Sequence, residues 1–113
     1  MVVEKQNTFR REKAEGLLRR VAAEFLEIES NKTALITVTR ATISPDLKNS
    51  TIFITVLPEK MEVPALDFAR RKLGPFRDYA KTKLKFRILP FFSLEIDKGE
   101  KIRQQIDELS RKN

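Results

Sequence analysis

The chain has 113 residues, 23 Lys+Arg against 16 Asp+Glu, and a formal net charge of +7. That length holds one domain, and 41% hydrophobic residues suffice for a core without covalent staples. Cysteine and histidine are both absent, which excludes disulfides, thiolate zinc sites, cysteine nucleophiles and every histidine-based triad.

No apolar run approaches the roughly 18 residues that a membrane span needs. The N-terminal MVVEKQNTFRREK is charged and lacks the apolar stretch of a signal peptide. A cytoplasmic chain with no membrane partner is expected, folded as a single domain over residues 1–113.

Residues 8–28 read as a helix, with Ala14, Leu17, Leu18, Val21, Phe25 and Ile28 on one stripe and Asn7 or Thr8 as its cap. ALITVTRATIS (34–44) reads as a strand. Its apolar phase changes between Val38 and Ala41, which places a bulge near Arg40. SPDLKN supplies turn chemistry, with Asp46 as a turn former. TIFITVL (51–57) is a second strand, so the pair forms an antiparallel hairpin.

Pro64 suits a helix start, and Gly74-Pro75 interrupts the pattern that follows. The spacing predicts helices over 64–73 and 76–85, meeting at a kink at Gly74 and Pro75. Residues 86–97, FRILPFFSLEID, alternate as a third strand in which Pro90 suits an edge or a bulge. Phe91-Phe92 reads as half surface and half core. Asp97 ends that strand or caps the next helix, Lys98-Gly99 makes a turn, and Ile102, Ile106 and Leu109 stripe a short final helix. The order implies an α+β domain: a three-stranded sheet with helices on one face.

The charge is uneven. Residues 70–87 hold eight basic residues (Arg70, Arg71, Lys72, Arg77, Lys81, Lys83, Lys85 and Arg87) and one acid, Asp78, a net +7 equal to that of the whole chain. Residues 1–69 hold ten of each sign, and residues 88–113 five of each. Spacing by four puts Arg77, Lys81 and Lys85 on one helical ridge. Arg10, Arg11 and Lys13 fall in the first turns of the expected first helix, where the dipole disfavours cations. Both groups suit an external polyanion. A solvated face, an acidic protein or an anionic membrane surface would also satisfy them, the membrane least well because no large apolar face lies opposite.

These residues carry a family resemblance. KAEGLLRRVAAEFL, then ATISPDLKNSTIFITVL, then Gly74, Arg77, Arg87, Pro90, Phe92, Leu94 and Asp97 at their spacing resemble ribosome-binding factor A, a bacterial assembly factor of the small ribosomal subunit. The resemblance covers nearly the whole chain. It implies a KH-like fold of type II topology, α-β-β-α-α-β, here with an added C-terminal helix. It also implies binding to small-subunit rRNA, a role in late maturation, and participation of an assembly GTPase. The GxxG nucleotide clamp of KH domains is replaced in that family by Ala-x-Gly between two helices. Here the stretch reads Lys72-Leu73-Gly74, with lysine in place of alanine, and Pro75 follows. A single-stranded clamp of the usual KH kind is therefore not expected.

The function expected is a non-enzymatic assembly factor acting as a monomer, without cofactor or metal. Its RNA-binding set is Arg10, Arg11, Lys13, Arg70, Arg71, Lys72, Arg77, Lys81, Lys85 and Arg87. The alternatives are a basic adaptor for an acidic protein and, least favoured, a Mg²⁺ nuclease using Asp46, Glu95 and Asp97.

Overall fold

The computed structural model describes residues 2–30 and 32–112. Helix α1 (Val2–Glu29) leads into β1 (Leu35–Ile43) and β2 (Asn49–Leu57). A 3₁₀ turn, Glu59–Met61, precedes α2 (Glu62–Arg71) and α3 (Leu73–Lys83); β3 (Phe91–Ile96) and α4 (Lys98–Lys112) follow. This is the expected KH-like α-β-β-α-α-β order with its added helix.

The sheet runs β1-β2-β3, with β1 antiparallel and β3 parallel to β2. The expected bulge is present: the register shifts between Val38 and Arg40. Val38, Ala41, Ile43, Ile52, Ile54, Val56, Phe92 and Leu94 are buried on one face, beneath α1, α2 and α3. From α1 the buried residues are Leu18, Val21, Ala22, Phe25 and Leu26. The expected stripe was wider: Leu17 and Ile28 are exposed. Phe25, Phe76 and Phe92 bind three elements together, their rings 5.4 and 5.0 Å apart in sequence. The surface and core halves of the last pair are as expected, Phe91 outside and Phe92 inside.

Ser50 is buried next to this core, and its hydroxyl finds no hydrogen-bond partner among the described residues. An unpaired buried hydroxyl is destabilising. Ser50→Ala is therefore expected to raise stability by about 1 kcal/mol, seen as a higher urea midpoint at unchanged slope. A lower midpoint would mean that the hydroxyl is satisfied.

Several boundaries differ from expectation. The first helix spans Val2–Glu29, so Asn7 and Thr8 lie inside it rather than at its N-cap position. Nothing in VVEKQN breaks a helix. The break between α2 and α3 falls at Lys72, not at Gly74-Pro75. Lys72 has φ −91° and ψ 4°, and its N–H donates to Ala69 O at 3.1 Å. In a continuous helix the Pro75 ring would meet the Arg71 carbonyl, so the chain must break upstream. Pro75 then occupies the first turn of α3, where its missing N–H costs nothing. A Cβ on Gly74 would meet no atom within 4 Å, so this glycine serves no close packing. It accepts the helical conformation that a Cβ before proline disfavours.

The third strand is shorter than the alternation suggested. Phe86–Pro90 is irregular, because Pro90 has no N–H for a ladder and the Leu89 and Pro90 carbonyls are already used by Arg77. Lys98-Gly99 is the first turn of α4, which spans 15 residues rather than a short stretch. Its stripe of Ile102, Ile106 and Leu109 is exposed.

Candidate nucleic-acid interface

The ten cations named from the sequence divide into two kinds. Arg77 is turned inward: its guanidinium donates to Pro90 O at 2.8 Å and Leu89 O at 3.3 Å and lies over the Phe92 ring. Arg70 donates to Leu94 O at 2.9 Å and approaches Glu95 at 3.8 Å. Lys72 pairs with Glu29 at 3.8 Å and lies over Phe68. These three fix loop to helix, helix to strand and helix to helix.

The others face outward. Arg10, Arg71, Lys81, Lys85 and Arg87 are exposed and form no ion pair with a described residue. Arg11 is half-exposed, and Lys13 lies over the Phe9 ring.

The proposed ridge does not form. Helix α3 ends at Lys83, so Lys85 is off its face, and Arg77 points into the fold. Lys81 alone keeps the position on helix α3 that the spacing assigned. The dipole argument also weakens, since Arg10 is the ninth residue of α1 rather than part of its first turn. The set is not one patch either. Lys72 reaches Glu29 at the C-terminal end of α1, roughly 24 Å along the axis from Lys13 at 1.5 Å per residue.

One end of the molecule does unite two of them with a third cation. The turn after β1, the start of α3 and the segment 84–90 meet α1 at Ala14, and Lys48, Arg77 and Arg87 are among the residues lining that junction. Charge spacing alone could not reveal this junction, because Lys48 lies in a stretch of balanced charge and is brought in by the hairpin. The turn itself is tightly specified. Leu47 N–H donates to Ser44 O at 2.8 Å, Asn49 N–H to Ser44 Oγ at 3.0 Å, and Lys48 N–H to Asp46 Oδ1 at 3.0 Å. The Ser44 hydroxyl also donates to Asp46, and together with the Lys48 amide it holds the carboxyl below its ordinary pKa. Asp46 is thus a turn former, as its position suggested.

Asp97 sits at the opposite end of the sheet. It is 3% exposed. Oδ2 accepts from Thr39 Oγ1 at 2.6 Å and Arg40 Nε at 3.3 Å, and Oδ1 accepts from Glu100 N–H at 3.0 Å, capping α4. The bulge after Val38 is what brings both Thr39 and Arg40 to this carboxylate. Burial pushes the Asp97 pKa up, but the Thr39 hydroxyl, the Glu100 amide and the Arg40 charge outweigh it and leave the pKa lowered.

The nuclease reading fails on geometry. Asp46 and Asp97 flank opposite ends of β3, whose six residues span roughly 20 Å at ~3.3 Å each. No group of three carboxylates among the described residues could hold a metal. No helix among them is long and apolar enough to cross a membrane.

The comparisons with known proteins bear on the fold and the family. A ribosome-binding factor A of Staphylococcus saprophyticus subsp. saprophyticus is 26% identical over 111 residues, covering 89% of this chain and 97% of that protein. The crystal structure of ribosome-binding factor A from Thermus thermophilus superposes with a TM-score of 0.69 at 21% identity, over 76% of this chain and 94% of that one. The solution structure of a Thermotoga maritima protein described as a ribosome binding factor A gives 0.68 at 22% identity, over 80% and 90%. The family model of ribosome-binding factor A matches residues 10–110, from the basic turns of α1 to the end of α4. With fold, extent and motif order in agreement, the chain belongs to the ribosome-binding factor A family.

Proposed function

We propose that this chain is a non-enzymatic ribosome biogenesis factor that binds small-subunit rRNA on the free, immature small subunit and assists its late maturation and rRNA processing. Family membership supports a ribosome-associated role. The observation that carries the RNA reading is the confinement of the whole net charge of +7 to residues 70–87, with Arg71, Lys81, Lys85 and Arg87 exposed and free of internal ion pairs among the described residues. Cations that face solvent without partners are available to phosphates, and such contacts give affinity and placement rather than sequence reading. Specificity then comes from the shape of one folded rRNA site. Release follows when that site rearranges, with an assembly GTPase taking part. The chain acts as a monomer in the cytoplasm.

The test is sedimentation with free small subunits and with assembled ribosomes over a salt series, with and without prior RNA digestion. Binding to the free subunit, lost on digestion, is expected, with little on the assembled ribosome. Lys81→Gln, Lys85→Gln and Arg87→Gln combined should lower the salt slope by roughly 0.7–0.9 per cation and leave stability unchanged. The same exchange at Lys32, Lys60 and Lys98 should leave the slope unaltered. Equal slopes for both sets would remove the RNA site from this face. Equal binding to both ribosomal particles would remove the maturation role.

A further inference from the structure

The junction at the Ala14 end is an open groove of about 950 Å³. That lies within the range of ~300–1,000 Å³ typical of small-ligand pockets. Its walls are apolar, formed by Ile43, Leu47, Leu73, Phe86, Ile88 and Phe91. Three of these have little role in the core: Leu47 is 57% exposed, Ile88 80% and Phe91 72%. Large apolar side chains converging on one concavity while remaining in water do not stabilise the fold, and they mark a binding surface.

The backbone gives the same indication. Leu47 has φ +64°, the left-handed region that glycine or asparagine enters far more readily. The turn pattern of Pro45 and Asp46 would be served at least as well by asparagine at 47. Leucine at this left-handed turn position has no backbone advantage, and its side chain forms one wall of the groove.

The rim is cationic. Lys48 and Arg87 line it, and Arg10 lies one helical turn before Ala14 on the same face of α1. Asp46, the one carboxylate among the described lining residues, accepts from the Ser44 hydroxyl and the Lys48 amide and offsets part of the Lys48 charge, which leaves Arg87 and Arg10 as exposed cations of the rim. An apolar, aromatic-bearing floor beneath a rim of net positive charge complements a ligand that alternates flat apolar faces with negative charge. Unpaired bases between phosphates have that chemistry, and a duplex, whose bases are stacked away, does not.

We propose that this groove receives unpaired bases of a single-stranded RNA segment, packed against Phe86, Phe91, Ile88 and Leu47, with Lys48, Arg87 and Arg10 on the flanking phosphates. Arg77 holds the segment 84–90 that forms one wall. The proposal rests on the rRNA-binding reading and narrows it: a single strand is gripped by its bases, without a GxxG clamp.

Fluorescence anisotropy with four probes tests it: a short single-stranded RNA, the same strand with central abasic sites, a blunt duplex, and an acidic amphipathic peptide. The variants are Leu47→Asn and Phe91→Ser, both at exposed positions, with melting temperatures measured alongside. The intact strand should bind more tightly than the duplex, and removal of the central bases should weaken it roughly tenfold per base engaged. Each variant should weaken the intact strand severalfold, leave duplex binding unchanged and stay folded. Leu47→Asn should melt no lower than the parent. Equal binding of intact and abasic strands, or of strand and duplex, overturns the groove. Displacement of the peptide but not of the strand by these substitutions would assign the groove to a protein and also overturn it. Sedimentation with small subunits separates the two levels: if that binding persists while the abasic strand binds like the intact one, the base groove alone fails.

Discussion

Asp97→Ala is expected to lower stability by about 2–3 kcal/mol. Loss of a helix N-cap costs ~1 kcal/mol. A hydrogen bond to a charged group contributes roughly 1.5–3 kcal/mol, and this carboxylate accepts from both Thr39 and Arg40 while almost wholly buried. The loss stays below the sum, because Thr39 retains an acceptor in Phe53 O at 3.3 Å and Arg40 remains stacked over Phe53 at 4.0 Å, with its side chain 57% exposed to water. Asp97→Asn keeps an acceptor for the Glu100 amide and should lose about half as much.

The pH dependence separates charge from shape. The folded pKa of Asp97 is lowered relative to the unfolded chain, so its contribution is fully present above the ordinary carboxylate range and declines as pH falls through it toward the folded value. The stability gap between parent and Asp97→Asn should therefore be constant near neutrality and narrow in acid. Urea unfolding at neutral and acid pH measures it. A gap that does not change with pH, or an alanine variant within about 0.5 kcal/mol of the parent, would mean that Asp97 fills space and does little else.

Arg77→Gln should lower stability by about 2 kcal/mol and weaken RNA binding by more than one cation's share. Two guanidinium hydrogen bonds and the contact over Phe92 hold the segment 84–90 against α3. Charge-assisted bonds of this kind contribute about 1.5–3 kcal/mol before discounting for partial exposure. When they go, the segment carrying Lys85, Arg87 and Ile88 loses its position, so the groove and part of the basic surface go together. Arg77→Lys is the decisive companion. Lysine restores the charge but cannot serve two carbonyls as a planar fork does. It should restore neither the melting temperature nor the salt slope in full. If lysine restores both, Arg77 acts as a charge and not as a fork.

What was legible in the sequence, and what was not, follows from how far each signal reaches along the chain. The hairpin, its bulge, the exposed and buried halves of Phe91-Phe92 and the α-β-β-α-α-β order all rest on periodicity within one element and on local turn chemistry. The motif order pointed to the family that the comparisons establish. Element ends were harder. Proline announces a break but not the residue that absorbs it, and here Lys72 absorbs the break that Pro75 requires. Alternation in 86–90 mimics a strand, yet no neighbour is free to pair with it. The ridge failed for a different reason. Spacing by four shows which residues share a helical face, but it does not show that a carbonyl pair at Leu89 and Pro90 will draw Arg77 inward. Leu47 falls within the stretch that carries the family resemblance and Lys48 within a charge-balanced loop, but neither reads as a groove residue in the sequence, because its place there depends on what folds beside it.

Among the described residues, the apolar stripe of helix α4 packs against little beyond the capped start. Lys101 reaches Glu59 at 2.8 Å and Glu62 at 3.0 Å, while Ile102, Ile106 and Leu109 bury little. A helix of this length is marginal without tertiary packing. Its amides should therefore exchange with solvent through local opening, well below the free energy of global unfolding, while the amides of β2 exchange only when the whole domain opens. The domain thus has two tiers of cooperativity. The sheet with α1, α2 and α3 forms one unit, and α4 can fray from it back to the Lys101 contact without disturbing the groove at the other end.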